Sequence, residues 1–499
     1  MKKFFVRSLI IVPTIILQIF LYSLLLGFLS EFANIVIPII NLLAIGFVLY
    51  LLSKRMESNY KISWIIVIIL APVFGAVLYL FFGNKKTSRG LNSKILDSKF
   101  KLNYKFKDTY KIDATADRDL GHFKQIEELT EMPTYKCEDA KYYETGDLFF
   151  EDLIAELKKA KEFIFIEFFI VENGEIFKRI SDILVEKVNE GVDVRFMYDD
   201  FGSLMKFSLI DLKRLRSEGV KCLLFNPVTF LDPRLNNRDH RKMVIIDGEI
   251  AFSGGNNLAD EYANLVERFG HWKDIGFSIK GNGVNVYSYM FMEFWNAFSS
   301  DKISEKYLDV VHPEKDEYDG IVASYYDSPF FEDAVSNSLY VDILSAAKSY
   351  VWIYTPYLIL PNSLNDAIIR ASHRGIDVRI IMPGIPDKKM VYRFGRSYFS
   401  DLLYAGVRIF TYTPGFVHAK AILSDDNLCA IGTVNLDFRS LYLHFENNSL
   451  FYHSKISLDL KKDMEKTISE SEEIYRSSIN PSIFKRINDS IFRIIAPLF

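Results

Sequence analysis

Apolar and polar positions follow three different rhythms along this chain of 499 residues, and each predicts a different kind of element. Up to about residue 90 the apolar positions are continuous rather than periodic. Three runs, near 9–29, 32–52 and 62–82, each approach the ~20 residues a helix needs to cross a bilayer. Beyond residue 140, short apolar runs such as 163–170 and 192–198 alternate with stretches of helical period such as 176–189. Strand-like and helix-like segments in turn predict α/β architecture. Near the C-terminus, Ile483–Ile495 sets apolar residues at helical spacing with basic ones between them. It reads as an amphipathic helix, lying on a membrane surface or packed on the body of the protein.

The α/β region repeats one spaced polar pattern. The first copy reads His240-Arg241-Lys242, four residues, Asp247, six residues, then Gly254-Gly255-Asn256-Asn257. The second reads His418-Ala419-Lys420, four residues, Asp425, six residues, then Gly432-Thr433-Val434-Asn435. Three residue types at about 5 % usage recur at fixed spacing by chance roughly once in ten thousand positions, so coincidence explains the pair poorly. Other segments correspond too: Ala160-Lys161 with Ala347-Lys348, then Gly191-Val192-Asp193-Val194-Arg195 with Gly375-Ile376-Asp377-Val378-Arg379. Two similar halves, 141–318 and 319–499, are therefore predicted as α/β sandwiches that pack together and join their motifs at the interface. Residues 1–90 precede them as a membrane anchor, and 91–140 as a linker and entry segment.

Each motif sits where a hairpin is expected, between two short apolar runs broken by Asp247-Gly248 or Asp425-Asp426. Residues two apart on a strand share a face, so His240 and Lys242 point together, as do His418 and Lys420. An imidazole and an ammonium, supplied twice, suit a phosphoryl group. Lys242, Lys420 and the amides of Asn257 and Asn435 can hold its oxygens. One histidine can attack phosphorus while the other protonates the leaving alcohol and then activates the acceptor. An attacking histidine needs one fixed tautomer, and the candidate orienting carboxylates are Asp274 and Glu446, each downstream of a motif. Asp247 and Asp425 read as structural partners at the strand ends. No carboxylate–histidine cluster has metal spacing, so the expected site is metal-free and without cofactor.

These motifs resemble the HKD signature of the phospholipase D superfamily. Within it the chain is similar to the bacterial cardiolipin synthases, through Asn237-Arg238-Asp239-His240, Asp260-Glu261-Tyr262, Thr355-Pro356-Tyr357 and Phe416-Val417-His418 among others. The resemblance implies two phospholipase D-type α/β halves behind N-terminal transmembrane helices. It also implies His240 as nucleophile and His418 as acid/base, an order that the near-symmetric residues do not give. The implied reaction is transfer of a phosphatidyl group from one phosphatidylglycerol to another. A membrane-bound phospholipase D using water or another alcohol is the alternative. Gly255 stands where many members of the superfamily carry Ser, which shifts that phosphate contact to backbone N–H groups or to Thr433.

Charge and the first residues complete the picture. Residues 1–90 carry a net +7 and the remainder −11, an acidic balance that argues against nucleic acid as partner. Phosphatidylglycerol and cardiolipin in the membrane are the expected partners. The first apolar run is too long for a signal-peptide core and lacks a small-residue cleavage site, so a multi-pass cell-membrane protein is expected. Lys2, Lys3, Arg7, Lys54, Arg55 and Lys61 favour the cytoplasmic side. Three crossings would then put the catalytic region outside, whereas a re-entrant stretch would put it inside. The three cysteines, Cys137, Cys222 and Cys429, lack metal spacing and cannot all pair.

Overall fold

The computed structural model describes residues 30–83, 89–478 and 482–498, apart from 116, 205, 208, 228–235, 309, 311 and 313–316, together with positions 20 and 23. The apolar run at 9–29 lies otherwise outside the described residues. Helix α1 (Ser30–Leu52) is about 35 Å long at 1.5 Å per residue. Among the described residues its stretch Asn34–Leu52 alone is long and apolar enough to cross a bilayer.

The run at 62–82, expected as a third crossing, does not form one. It divides into α2 (Ser58–Leu70) and α3 (Pro72–Leu78), the latter running into a π-helical turn over Tyr79–Gly83. Pro72 is the physical reason. It lacks an amide hydrogen, and its ring drives the preceding residue out of helical geometry, as Ala71 shows with φ −145° and ψ 78°. The chain then folds back. The Tyr60 hydroxyl donates to the Phe82 carbonyl over 3.3 Å, so the two ends of the hairpin lie together. Gly75 permits the close crossing: a Cβ there would stand 2.7 Å from the Ile68 Cα. At 13 residues α2 reaches only about 20 Å, short of a bilayer.

The first half is a seven-stranded sheet in the spatial order Asp139–Tyr143, Gly276–Lys280, Ile250–Gly254, Met243–Ile246, Phe163–Phe168, Asp193–Asp199, Lys221–Phe225. The second repeats this order with Ile321–Asp327, Glu446–Tyr452, Leu428–Gly432, Ala421–Ser424, Tyr350–Tyr354, Asp377–Pro383 and Arg408–Tyr412. It adds one strand at each edge, Thr134–Lys136 and Ser471–Ile474. In both halves the central strand pairs parallel with the next strand and antiparallel with its motif strand. The predicted pair of α/β halves is thus the observed architecture.

Alternation along the central strands builds three layers of core. Phe163 and Phe165 join a core shared with Trp352, Leu423 and Cys429 of the other half, while Ile164 and Ile166 pack among the outer helices of their own half. Both faces are covered, so every residue of Phe163–Phe168 is buried. Segment 91–140 enters both halves. Helix Arg89–Leu102 buries Leu91 and Ile95 in the shared core, and helix Leu120–Thr130 buries Phe123 and Ile126 in the second half.

Candidate active site

Each motif hairpin turns on two residues with positive φ: Asp247 (54°) with Gly248 (70°), and Asp425 (51°) with Asp426 (65°). The turn aims the first aspartate back at the start of the central strand. Asp247 accepts the amides of Lys161, Glu162 and Phe163 at 2.7, 2.8 and 2.8 Å. Asp425 accepts those of Lys348, Ser349 and Tyr350 at 2.7, 2.8 and 3.0 Å. Neither is hydrogen-bonded to an imidazole; each clamps the sheet at the start of its central strand, the structural part expected of it rather than a catalytic one. Asp247→Ala is expected to lower unfolding stability by about 2–3 kcal/mol through lost charge-assisted hydrogen bonds. The folded fraction should keep its turnover, which denaturant titration alongside specific activity would check.

The halves cross at the histidines. The His240 amide donates to the Phe445 carbonyl (2.8 Å) and the His418 amide to the Lys273 carbonyl (2.7 Å). Each exchange brings a motif beside the carboxylate that follows the other motif. Glu446 Oε2 lies 2.7 Å from His240 Nδ1, and Asp274 Oδ2 lies 2.5 Å from His418 Nδ1. The carboxylates are those anticipated, but the pairing runs across the interface: neither half completes its own histidine. A carboxylate on Nδ1 favours the proton there and leaves each Nε2 lone pair for phosphorus or for a proton in transit. Lys242 Nζ donates to the His240 carbonyl (2.6 Å), and Lys420 Nζ lies 2.6 Å from His418 Nδ1.

The residue expected to touch phosphate through a hydroxyl does something else. Thr433 donates to Glu446 Oε2 at 2.5 Å and accepts the Asn447 amide at 2.9 Å, so it fixes the carboxylate that fixes His240. At the matching position, Gly255 gives its N–H to the Ile275 carbonyl (3.0 Å) rather than holding it open for phosphate. A Cβ on Gly255 would stand 2.0 Å from Asp274 Oδ1. The shorter Asp274 occupies the space a side chain would fill. Gly255→Ser is therefore expected to displace Asp274 and lower kcat by about 10–100-fold without unfolding the protein. Circular dichroism and turnover of that variant test this, and unchanged kcat would contradict it.

Asn257 and Asn435 are also engaged locally. Asn257 accepts the Ile170 amide (3.0 Å) and donates to the Tyr262 hydroxyl (2.7 Å), while Asn435 donates to Ser440 (3.1 Å). Both place neighbours at the site, Tyr262 among them, whose ring stands edge-on 5.2 Å from His418. Asn447 was not read from the sequence, nor were the partners of Arg241. Asn447 accepts the Lys242 amide (3.0 Å) and donates to Ser253 (2.7 Å), tying the two motifs together. Beside His240, Arg241 is buried on Glu167 (2.7 Å) and Asp239 (3.2 Å), over the Phe294 ring. The signals were there: three polar residues in one buried strand at Glu446–Asn448, and a lone Glu167 in an apolar run.

Electrostatics separate two nearly symmetric centres. Burial, with Lys242 and His444 adding to it, pushes His240 well below the ordinary imidazole range. Burial and Lys420 lower His418 to about 4, with Asp274 opposing. Burial raises Glu446 well above the usual carboxylate range, whereas at Asp274 Lys420 and His418 outweigh burial and hold it below. The two centres therefore differ: Asp274 is held as an anionic partner for His418, whereas His240 and Glu446 face each other with the charged form of each disfavoured by burial. Burial also lowers Lys242 to about 8 and Lys420 to about 7. Both must be charged to receive a phosphodiester anion. The kcat/KM is therefore expected to fall as pH rises through about 7 to 8. A profile on soluble short-chain substrate measures this, and one flat across that range would contradict it.

His240, His444 and Glu446 bring possible ligand atoms within 4.8 Å of one another, a donor set that could hold a metal ion. An ion there would compete for the Glu446 carboxylate that His240 Nδ1 faces.

Two His-x-Lys hairpins completed across the interface of two α/β halves define an enzyme of the phospholipase D class. The family model described as "Cardiolipin synthase, PLD-like domain" matches residues 153–267 and 340–468, and the "Phospholipase_D-nuclease N-terminal" model matches 39–84. Cardiolipin synthase 2 of Bacillus cereus is 34 % identical to this chain over 91 % of it and 89 % of that protein. An uncharacterized protein of Streptococcus mutans is 39 % identical over 91 % of this chain and 100 % of that one. The crystal structure of phosphatidylserine synthase from Haemophilus influenzae shares the fold, with a TM-score of 0.54 and 16 % identity over 75 % of this chain and 97 % of that one. The chain belongs to the cardiolipin synthase family of the phospholipase D superfamily, and is a phosphatidyltransferase of that type.

Proposed function

We propose that the enzyme transfers a phosphatidyl group from one phosphatidylglycerol to another, releasing glycerol and forming cardiolipin. His240 Nε2 attacks phosphorus, the bond from phosphorus to the glycerol oxygen breaks, and His418, protonated at both nitrogens between Asp274 and the bound phosphodiester anion, gives that oxygen its Nε2 proton. The neutral His418 then takes a proton from the terminal hydroxyl of a second phosphatidylglycerol. The resulting oxygen attacks phosphorus, the P–N bond breaks and His240 is restored. Lys242 and Lys420 offset the charge on the phosphoryl oxygens. The observation that carries this reading is the crossed pair, Glu446 on His240 and Asp274 on His418, which gives each histidine a distinct environment.

The reaction belongs at the cell membrane, with α1 crossing it. Arg55, in the loop after α1, pairs with Asp333 of the second half at 3.1 Å, so that loop and the catalytic body share one side. Lys54, Arg55 and Lys61 support the cytoplasm as that side, since positive loops favour it.

The purified protein given phosphatidylglycerol alone tests the reaction. Equal amounts of cardiolipin and glycerol, counted by mass spectrometry and absent from the His240→Ala protein, are expected. Phosphatidic acid and glycerol without cardiolipin would make the acceptor water.

A further inference from the structure

The C-terminal helix, Ile483–Ile495, is packed inside out. Its contacts with the body come from its more polar side and its last turns. Arg493 donates to Asp401 at 2.5 Å and to the Ser397 carbonyl at 3.1 Å, and Phe492 meets Phe394. On the other side Ile483, Phe484, Ile487 and Ile491 fall on one face at helical spacing, and all are exposed, Phe484 by 82 %. A helix serving only to close a water-soluble body would turn these residues inward.

What covers this face is indicated by its neighbour. The helix lies against α2, whose Ser63 hydroxyl is hydrogen-bonded to the Ile494 carbonyl, and α2 packs in turn on α1. The hairpin tip is itself apolar and open, with Leu70 79 % exposed and Ile69, Val73 and Val77 beside it. Three neighbouring elements therefore present apolar surface, and the first of them is the bilayer anchor. Lys485 and Arg486 flank the apolar face and are exposed, as are Lys389 and Arg393 on the adjoining helix Lys389–Arg396. That is the charge pattern of a helix lying among anionic headgroups. The hairpin also reaches the site: Tyr60 stacks on Phe438 at 4.6 Å, and Asn236, four residues before His240, donates to the Phe82 carbonyl.

We propose that the C-terminal helix lies in the plane of an anionic phospholipid leaflet, apolar face in the acyl region. With the tip of the α2–α3 hairpin it forms a shallow platform that seats the catalytic halves on the membrane holding their substrates. The platform is independent of which alcohol accepts the phosphatidyl group.

The test uses full-length Cys222→Ser protein in phosphatidylglycerol-containing vesicles, with bimane on Phe484→Cys or Lys485→Cys. Lipids brominated high on the acyl chain should quench the label at 484 several-fold more than the label at 485. Absence of lipid quenching at 484 would overturn the proposal and leave a second protein copy as the cover. Activity supplies the second arm. Phe484→Glu with Ile487→Glu should lower turnover on vesicles at least about tenfold while leaving turnover of dissolved short-chain phosphatidylglycerol unchanged. Equal effects on both substrates, or none on either, would overturn it as well.

Discussion

His240→Ala is expected to lower phosphatidyl transfer by about 10⁴-fold or more, with the fold intact. The variant removes the atom that bonds to phosphorus, and no neighbour can substitute for it. His418 is committed to Asp274 and to the proton, and His444 lies beyond His240 with a ring centroid 5.7 Å away. Losses of this size are what removal of a covalent nucleophile produces when the rest of the site still binds. The side chain is small and its packing loss modest, so thermal unfolding should move little. An alkaline-quenched wild-type reaction should carry a phosphate-containing adduct on the peptide with His240, and the variant should carry none. Residual turnover within tenfold of wild type would remove His240 from the mechanism.

Glu446→Gln is expected to cost about 10³–10⁴-fold, although Glu446 touches no reacting atom in the scheme. Its carboxylate accepts from His240 Nδ1 and from Thr433. An amide can turn its NH₂ towards Nδ1 instead, which moves the imidazole proton to Nε2 and removes the attacking lone pair. Wrong-tautomer effects of this size are known where a buried carboxylate orients a catalytic histidine. Substrate binding depends on Lys242 and Lys420, so the loss should fall on kcat with KM little changed. A loss confined to KM would contradict the orienting role.

Much of this was legible because periodicity and spacing are local. The α/β class and the repeat could be read from alternating runs, and the matching strand order of the sheets follows from the repeat. What could not be read depends on relations between distant segments. The exchange of Glu446 and Asp274 between halves arises from pairing of Asp239 with Phe445 and of His271–Lys273 with Gly415–Val417, contacts without trace in either motif. Spacing placed each carboxylate downstream of a motif and invited the uncrossed pairing. Asp247 and Asp425 carry the repeat's most regular signal, yet the regularity comes from turn geometry, because a left-handed Asp there can reach three amides. The third apolar run looked long enough to span because hydropathy sums over Pro72 without registering the break in backbone direction. The C-terminal helix read equally well as packed or membrane-lying, and it proves to do the first with its more polar side.

The crossed pairing is tested most directly with a phosphatidyl ester of p-nitrophenol, whose leaving group departs without a proton. Stopped-flow measurement of the nitrophenolate burst then isolates attack by His240. Asp274→Asn is predicted to retain a near-stoichiometric burst and stall afterwards, and Glu446→Gln to lose the burst. The reverse result, burst lost in Asp274→Asn and kept in Glu446→Gln, would contradict the account, in which Glu446 orients the attacking His240 from across the interface.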